Sequence, residues 1–121
     1  MAHDLQDAAT AIEHATGAPV ARSFTPYAAA IDERVRAIVA TEGYLPVTWT
    51  VSTADDKPDA IADGVCDRIM DNVEDGSIVE LHLDEQNSEA STGGALPQVI
   101  TDLRAQRYHF VTIPDLIQPC S

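Results

Sequence analysis

The chain of 121 residues is long enough for one domain but too short for a closed eight-stranded (β/α) barrel, which typically takes about 250 residues. Its hydrophobic content of 45% is that of an ordinary folded protein, which argues against a disordered chain. Twenty acidic and seven basic residues give a net charge of −13, and this charge disfavours nucleic acids and membrane surfaces as partners because both are anionic.

The charge is carried by an aspartate-rich sequence in which Lys57 is the only lysine. Such a surface suits a protein of a salt-rich, halophilic-like cytoplasm, where ions screen the self-repulsion, and it suits equally a protein that is acidic for solubility. No apolar leader follows Met1, and no apolar run is long enough to cross a bilayer, so we expect a cytoplasmic protein.

The first half of the chain predicts two helices and two strands. Apolar residues recur at helical spacing over residues 5–15, and Gly17 is placed to end this helix. A short extended stretch over residues 19–24 predicts the first strand. A second helical stripe covers residues 31–39, and the alternating residues 46–51 predict the second strand.

The second half of the chain repeats this order. A helical stripe over residues 61–73 is closed by Gly76, and the compact apolar run at residues 77–83 predicts the third strand. A fourth helix is predicted around residues 96–103, and residues 109–113 predict the last strand.

These elements predict an α/β fold. Strands separated by single helices form a parallel sheet, because each helix carries the chain back across the sheet. The next strand then runs in the same direction as the one before it. About four strands are too few to close a barrel, and they would leave two unpaired edges. We therefore expect a single partial domain over residues 1–121, with a parallel sheet of about four strands that resembles part of a distorted (β/α) barrel.

The loops that follow the strands carry the candidate functional residues, since sites in parallel α/β folds gather at the C-terminal ends of strands. These loops contain Tyr27, the Asp55–Asp56 pair, His82 and Asp115. A carboxylate that faces an imidazole raises the pKa of that imidazole, so this group is suited to acid–base chemistry.

Each of these residues also has a plain structural interpretation. A histidine at a strand end is more often a hydrogen-bonded structural residue, and an aspartate pair before a helix commonly caps it. Tyr27 and Trp49 are of types that usually pack in a core. Thr92, ahead of Gly93 and Gly94, is expected to cap the last helix, with an anion-binding helix N-terminus as the weaker alternative.

The other histidines and the cysteines give no signal of metal or redox chemistry. His3, His14 and His109 show no metal-ligand spacing. Cys66 falls within a helical pattern as a small buried residue, and Cys120 lies on the terminal tail, so the two make only a weak disulfide framework. The sequence therefore predicts no metal site formed by this chain alone.

Four stretches, taken in order, resemble the polysaccharide deacetylase (NodB-homology) family, the carbohydrate esterases that remove N-acetyl groups from chitin-like or peptidoglycan sugars. The resemblance covers nearly the whole chain and corresponds to the C-terminal half of the family's domain. The matching stretches are Phe-Thr-Pro-Tyr-Ala at residues 24–28 (Arg-Pro-Pro-Tyr-Gly in the family), Thr-Glu-Gly-Tyr-Leu-Pro-Val-Thr-Trp-Thr-Val at residues 41–51 with the aspartate loop, Gly-Ser-Ile-Val-Glu-Leu-His at residues 76–82 (Gly-x-Ile-x-Leu-x-His in the family), and the closing helix and strand at residues 95–113.

The resemblance implies a role for each matched residue. His82 would be the general acid that protonates the departing sugar amine, and Asp55 would hold and tune it. Tyr27 would offer its main-chain N–H to the oxyanion. The candidate substrate-binding residues are Pro26, which would fix the turn, Leu81, which would line the acetyl pocket, and Trp49.

The sequence also departs from the family. Phe24 stands where the family has the arginine that braces the catalytic base, Arg22 lies two residues away, and Asp56 replaces a tryptophan. The family's Thr-Phe-Asp-Asp and His-x-x-x-His motifs, which carry the base and bind a divalent metal such as zinc, are not found in the sequence. The resemblance therefore implies a metal-dependent N-deacetylase whose metal-bearing half would come from another segment or chain.

Three hypotheses for function follow. The first is a hydrolase of carbon–nitrogen bonds in N-acetylated carbohydrates, active when a complementing chain completes it. The second is a catalytically inactive α/β remnant that serves as a carbohydrate-binding or assembly module, including a homo-oligomer that covers the sheet edges. The third, an unrelated small α/β binding protein, accounts less well for four matched stretches.

Overall fold

The computed structural model describes residues 1–26, 30–83 and 86–118, which form helices with short strands between some of them. The chain forms two compact units, one made of Met1–Thr48 with Thr112–Ser121 and the other of Trp49–Val111. Within the described residues, none of the helices has the length and the apolar surface that crossing a membrane requires.

The first unit contains two long helices and a pair of parallel strands. In chain order these are α1 (Ala2–Thr16), β1 (Ser23–Phe24), α2 (Glu33–Thr41) and β2 (Leu45–Pro46). Ser23 lies beside Leu45 and Phe24 beside Pro46 in the parallel pair. The core of this unit is formed by residues of both helices and the adjoining chain, namely Leu5, Val39 and Tyr44, with Phe24 and Val35 packed against them.

The helix ends of the first unit follow from local sequence. Gly17 ends α1 in the left-handed conformation, with φ 69°, and its N–H donates to the carbonyl of Glu13. Asp32 caps α2, since its carboxylate accepts the main-chain N–H of Val35 at 2.8 Å. The predicted end of the first helix at Gly17 is therefore confirmed.

The second unit contains the other parallel pair and a core of five buried side chains. Its elements are β3 (Val51–Ser52), α3 (Ala62–Asn72), β4 (Val79–Glu80), a π-helix (Glu89–Gly93) and α4 (Gly94–Ala105), which continues directly from the π-helix. Val51 pairs with Val79, and Ser52 with Glu80. Because the pair is parallel, the residues that follow β3 and β4 leave the sheet at the same edge.

The core of the second unit lies between α3 and α4. It consists of buried side chains spaced three or four residues apart on the two helices, namely Val65, Ile69, Ala95, Val99 and Leu103. At Gly94 the helices approach closely, because a Cβ there would lie 3.1 Å from the Cβ of Ala62. Two members of the predicted stripes lie outside this core, since Ile61 is 63% exposed and Leu96 is 38% exposed.

The α/β fold with parallel strands is confirmed, but two of the predicted strands differ. The predicted strand over residues 46–51 is divided between β2 and β3, which pair with different partners, so the described strands form two parallel pairs rather than one sheet of four. Residues 109–113 form no strand. Instead a short helix, α5 (Ile113–Leu116), begins after Thr112, whose hydroxyl accepts the N–H of Asp115.

Candidate acid–base site

The candidate site lies at the C-terminal edge of the β3–β4 pair. Asp55 follows β3 by three residues and His82 follows β4 by two, so the parallel pairing brings the two side chains to the same edge. Ala54 has a positive φ of 53°, which turns the chain sharply just before Asp55. The expected group at this edge also included Tyr27, which lies outside the described residues, so the structure brings together Asp55 and His82 and leaves the place of Tyr27 a prediction.

Asp55 and His82 are joined by two hydrogen bonds. The main-chain N–H of His82 donates to Oδ2 of Asp55 at 2.7 Å, and Nδ1 of the imidazole lies 2.9 Å from Oδ1. The carboxylate is buried, with Asp55 1% exposed, whereas the imidazole is 32% exposed. Since an ionised carboxylate only accepts hydrogen bonds, Nδ1 carries the proton between them.

The environment shifts the pKa of both groups. Burial alone would raise the pKa of Asp55, but the hydrogen bonds from Thr92 and His82 outweigh burial and hold that pKa below its ordinary value of 3.8. The hydrogen bond to Asp55 raises the pKa of His82 above its ordinary 6.5 despite partial burial, and the charges of Glu80 and Asp56 act in the same direction. The pair is therefore an ionised carboxylate beside an imidazole that favours its protonated form.

Two hydroxyl groups of the π-helix also hold Asp55. The hydroxyl of Thr92 donates to Oδ2, and Oγ of Ser91 lies 3.0 Å from the main-chain carbonyl oxygen of Asp55. Thr92 was expected to cap the last helix, and this prediction was wrong. α4 begins at Gly94 without a side-chain cap, and the Thr92 side chain bonds to Asp55 instead. The sequence shows a Ser-Thr pair just before a helix. The residue that Thr92 binds, Asp55, lies 37 residues away and could not be predicted from this pair.

Asp55, Asp56 and His82 are a candidate group for a metal ion, because a ligand atom of each lies within 4.8 Å of the others. Both oxygens of Asp55 already accept hydrogen bonds, however, and Nδ1 of His82 is engaged with one of them. Among the described residues a cation would then have only Asp56 and Nε2 of His82, fewer than the three protein ligands of a typical catalytic zinc site. The arrangement therefore fits a hydrogen-bonded acid pair better than a metal site.

The other candidate site residues lie in different surroundings. Leu81 is half-buried and packs against the α3–α4 core, and Trp49 is also half-buried. Pro26 is buried in the first unit, and Tyr27 lies outside the described residues. The roles inferred for these four residues stay predictions.

Phe24, which stands at the family's arginine position, and Arg22, two residues before it, both contact residues of the first unit. Phe24, which stands at that position, packs against the core of Leu5, Val39 and Tyr44. The guanidinium of Arg22 lies 5.1 Å from the centre of the Tyr44 ring, within cation–π distance. Both side chains thus have packing roles in this unit.

Similar proteins of known family agree with the sequence resemblance, although the family models do not. None of the protein-family models matches the chain. A curated peptidoglycan-N-acetylglucosamine deacetylase of Bacillus cereus is 32% identical over 98 residues, which make up 78% of this chain and 45% of that protein.

Two solved structures extend the similarity to the fold. A CE4 family pseudoenzyme from Bacillus anthracis is 29% identical with a TM-score of 0.83, and the match covers 97% of this chain and 39% of that one. The CE4 domain of a multidomain xylanase from the hindgut metagenome of Trinervitermes trinervoides is 26% identical with a TM-score of 0.83, covering 95% of this chain and 53% of that one.

The chain thus spans about half or less of the length of the relatives that it matches. That this part is the C-terminal half of the family's domain stays a prediction. By sequence and by fold, the chain is a relative of the CE4 polysaccharide deacetylases that corresponds to part of their structure.

Proposed function

We propose that this chain carries the general-acid part of a polysaccharide deacetylase site, which hydrolyses the carbon–nitrogen bond of N-acetyl groups on carbohydrates. The observation that carries the proposal is the buried carboxylate of Asp55 bound to Nδ1 of His82 at 2.9 Å. Similarity to a peptidoglycan-N-acetylglucosamine deacetylase supports the reaction class and points to an N-acetylated sugar as the substrate.

In this proposal His82 acts when the tetrahedral intermediate collapses. The bond between the acetyl carbon and the sugar nitrogen breaks, and Nε2 of the imidazolium gives its proton to that nitrogen, so the sugar leaves as a neutral amine and the acetyl group as acetate. Asp55 keeps the proton on Nδ1, orients the ring and stabilises its positive charge. The raised pKa of His82 favours the protonated imidazole, which is the form that can donate a proton.

The acid pair is only part of such a site. General acid catalysis contributes roughly 10²–10⁴-fold, so it does not make an efficient enzyme without an activated water. In the family a divalent metal such as zinc supplies this activation, and the described residues do not fit a complete ligand set for it. We therefore propose that residues from another segment or chain complete the site, with Leu81 and Trp49 on the substrate side.

Acetate release from an N-acetylated chitooligosaccharide tests this function. The protein is purified from its natural source, so that any completing segment is present, and is assayed with added zinc beside its His82→Ala variant. His109→Ala is the matched control, because His109 is an exposed histidine and is not among the hydrogen-bond partners of Asp55 described above. We expect acetate release by the wild type, a loss of roughly 10²–10⁴-fold in His82→Ala, and no change in His109→Ala.

The second candidate is a catalytically inactive module that binds a carbohydrate or assembles with other copies. It is favoured by the incomplete ligand set that the described residues offer to a metal, and by the similarity to a CE4 family pseudoenzyme. Calorimetry with the same oligosaccharide separates the two candidates. Saturable binding without acetate release, unchanged in His82→Ala, would support the module and contradict the deacetylase.

A further inference from the structure

The π-helix contacts Asp55 through two consecutive hydroxyl groups. Ser91 is fully buried and its Oγ lies 3.0 Å from the carbonyl oxygen of Asp55 and 3.1 Å from that of Asn87, so its single proton is shared between them. Thr92 is 2% exposed and donates to Oδ2 of Asp55. π-turns are rare and are found mostly at functional sites, and here the turn is closed by the N–H of Gly93 donating to the carbonyl of Ser88.

We propose that Thr92 is a positioning residue, which holds the carboxylate of Asp55 in the orientation that directs Oδ1 at the imidazole of His82. The proposal rests on the acid role proposed for His82, but it is tested without measuring activity.

The alternative is that the Thr92 hydroxyl only forms a hydrogen bond within its own helix. Comparison with other helical threonines contradicts it. Four of them donate to the carbonyl oxygen four residues earlier at 2.8–3.0 Å, namely Thr10, Thr16, Thr41 and Thr101. Thr92 makes no such bond among the described residues. Its hydroxyl instead reaches a charged oxygen on another element, and a buried hydrogen bond to a carboxylate is stronger than one to a neutral carbonyl.

The position of the bond explains why it orients the carboxylate. The terminal torsion of an aspartate is broad, so one hydrogen bond does not fix the plane of the carboxylate. Oδ2 of Asp55 accepts two bonds, from the main-chain N–H of His82 and from Thr92, and these two anchors leave Oδ1 facing Nδ1 of His82. Without the hydroxyl, the carboxylate can turn and the bond to Nδ1 weakens.

The main chain of Asp55 is held independently of Thr92. The guanidinium of Arg68, on α3, donates to the carbonyl of Thr53 at 3.0 Å, and the hydroxyl of Thr53 donates to the carbonyl of Glu80 at 3.2 Å. Ser91 contacts the carbonyl of Asp55 itself. Replacing Thr92 by the isosteric valine therefore removes the bond to the carboxylate while the loop keeps its other anchors.

Other charged groups face His82, and they remain in place when Thr92 is changed. Asp56 and Glu80 raise the pKa of the imidazole from their own loop and strand. Lys57 lies 3.9 Å from Asp56 and partly offsets its charge. Since Thr92 is uncharged, a change in the titration of His82 on its replacement reports the altered position of Asp55.

The test is a nuclear magnetic resonance titration of the His82 ring in the wild type, Thr92→Val and Thr92→Ser, with Thr101→Val as the matched control on α4. We expect the pKa of His82 to fall toward 6.5 in Thr92→Val and to stay at the wild-type value in Thr92→Ser and Thr101→Val. The downfield resonance of the proton on Nδ1 should move upfield in Thr92→Val only. A pKa that stays or rises in a folded Thr92→Val overturns the proposal.

Two further measurements keep the outcomes separate. If Thr92→Val does not fold, the exchange of the Thr92 hydroxyl proton with water is measured in the wild type. We expect slow exchange, and rapid exchange overturns the proposal. Asp55→Asn distinguishes this inference from the proposed function. A pKa of His82 that is unchanged in Asp55→Asn contradicts the acid pair itself, whereas a fall in Asp55→Asn without a fall in Thr92→Val contradicts only the role of Thr92.

Discussion

At the scale of single residues, Asp55 and His82 stabilise the folded state over a defined range of pH. The pKa of His82 is raised, so its contribution is complete below pH 6.5 and is lost as the pH rises through the raised value. The pKa of Asp55 is lowered, so its contribution is present above pH 3.8 and is lost as the pH falls through the lowered value. The pair therefore stabilises the fold most between these two limits.

This linkage predicts how stability changes with pH. The free energy of unfolding of the wild type should decrease as the pH rises above 6.5 through the raised pKa of His82, because the neutral imidazole binds Asp55 less strongly. Urea unfolding at a series of pH values measures this decrease. In His82→Gln the decrease should be smaller, and in His109→Gln it should match the wild type. Equal slopes in all three proteins would contradict the pairing.

At the scale of the elements, the α3–α4 contact forms the buried apolar core of the second unit. Ile69 is 1% exposed, so Ile69→Ala should cost about 2–5 kcal/mol and Ile69→Val about 0.5–1.5 kcal/mol. Ile61 belongs to the same predicted stripe but is 63% exposed, and Ile61→Ala should change stability by no more than about 0.5 kcal/mol. Chemical unfolding compares the three, and equal losses at the two positions would contradict the packing.

Two helix ends adopt the left-handed conformation with different residue types. Gly17 and Arg107 both have a φ of 69°, which costs a residue with a Cβ roughly 1–2 kcal/mol. Gly17→Ala should therefore lower the free energy of unfolding by about 1 kcal/mol. Arg107→Gly should raise it or leave it unchanged, since the relief of strain offsets the greater entropy of unfolded glycine. A rise in Gly17→Ala, or a loss above about 1 kcal/mol in Arg107→Gly, would contradict this account.

The same elements show what can be read from the sequence. Periodic apolar residues predicted the four long helices, and Gly17 marked an end, because these signals are local. The strand boundaries were less well predicted, because pairing decides them. Residues 46–51 alternate like one strand, yet their two ends belong to β2 and β3, which pair with different strands. The Thr-Ile-Pro-Asp sequence from Thr112 starts a helix where apolar residues suggested a strand.

The candidate site was predicted in the same partial way. Asp55 and His82 could be named because parallel strands bring their following loops together. The contact of Thr92 with Asp55 could not be named, because it depends on how the π-helix packs over the loop, and a threonine before a helix ordinarily suggests a cap.

At the scale of the whole molecule, the net charge of −13 opposes the compact state. We expect the thermal unfolding midpoint to rise between roughly 0.01 and 1 M KCl at pH 7, because salt shortens the Debye length from about 30 to 3 Å. Near the isoelectric point of about 4.3 the rise should be much smaller. An equal rise of the unfolding midpoint at both pH values would show that general ion effects, rather than charge repulsion, cause the rise.

The whole molecule also sets the limit of its proposed chemistry. It spans 45% of a curated deacetylase, and the described residues hold an acid pair without a complete metal site. The Asp55–His82 pair is therefore the feature by which the chain would take part in deacetylation, and its protonation decides whether it acts as an acid.

The most direct measurement is the ¹⁵N chemical shift of the two His82 ring nitrogens across the titration. If Asp55 holds the ring through Nδ1, that nitrogen stays protonated above and below the pKa, and Nε2 is the nitrogen that gains and loses the proton. A neutral ring with its proton on Nε2 would contradict the acid pair, since Nδ1 would then have no proton to donate to Asp55.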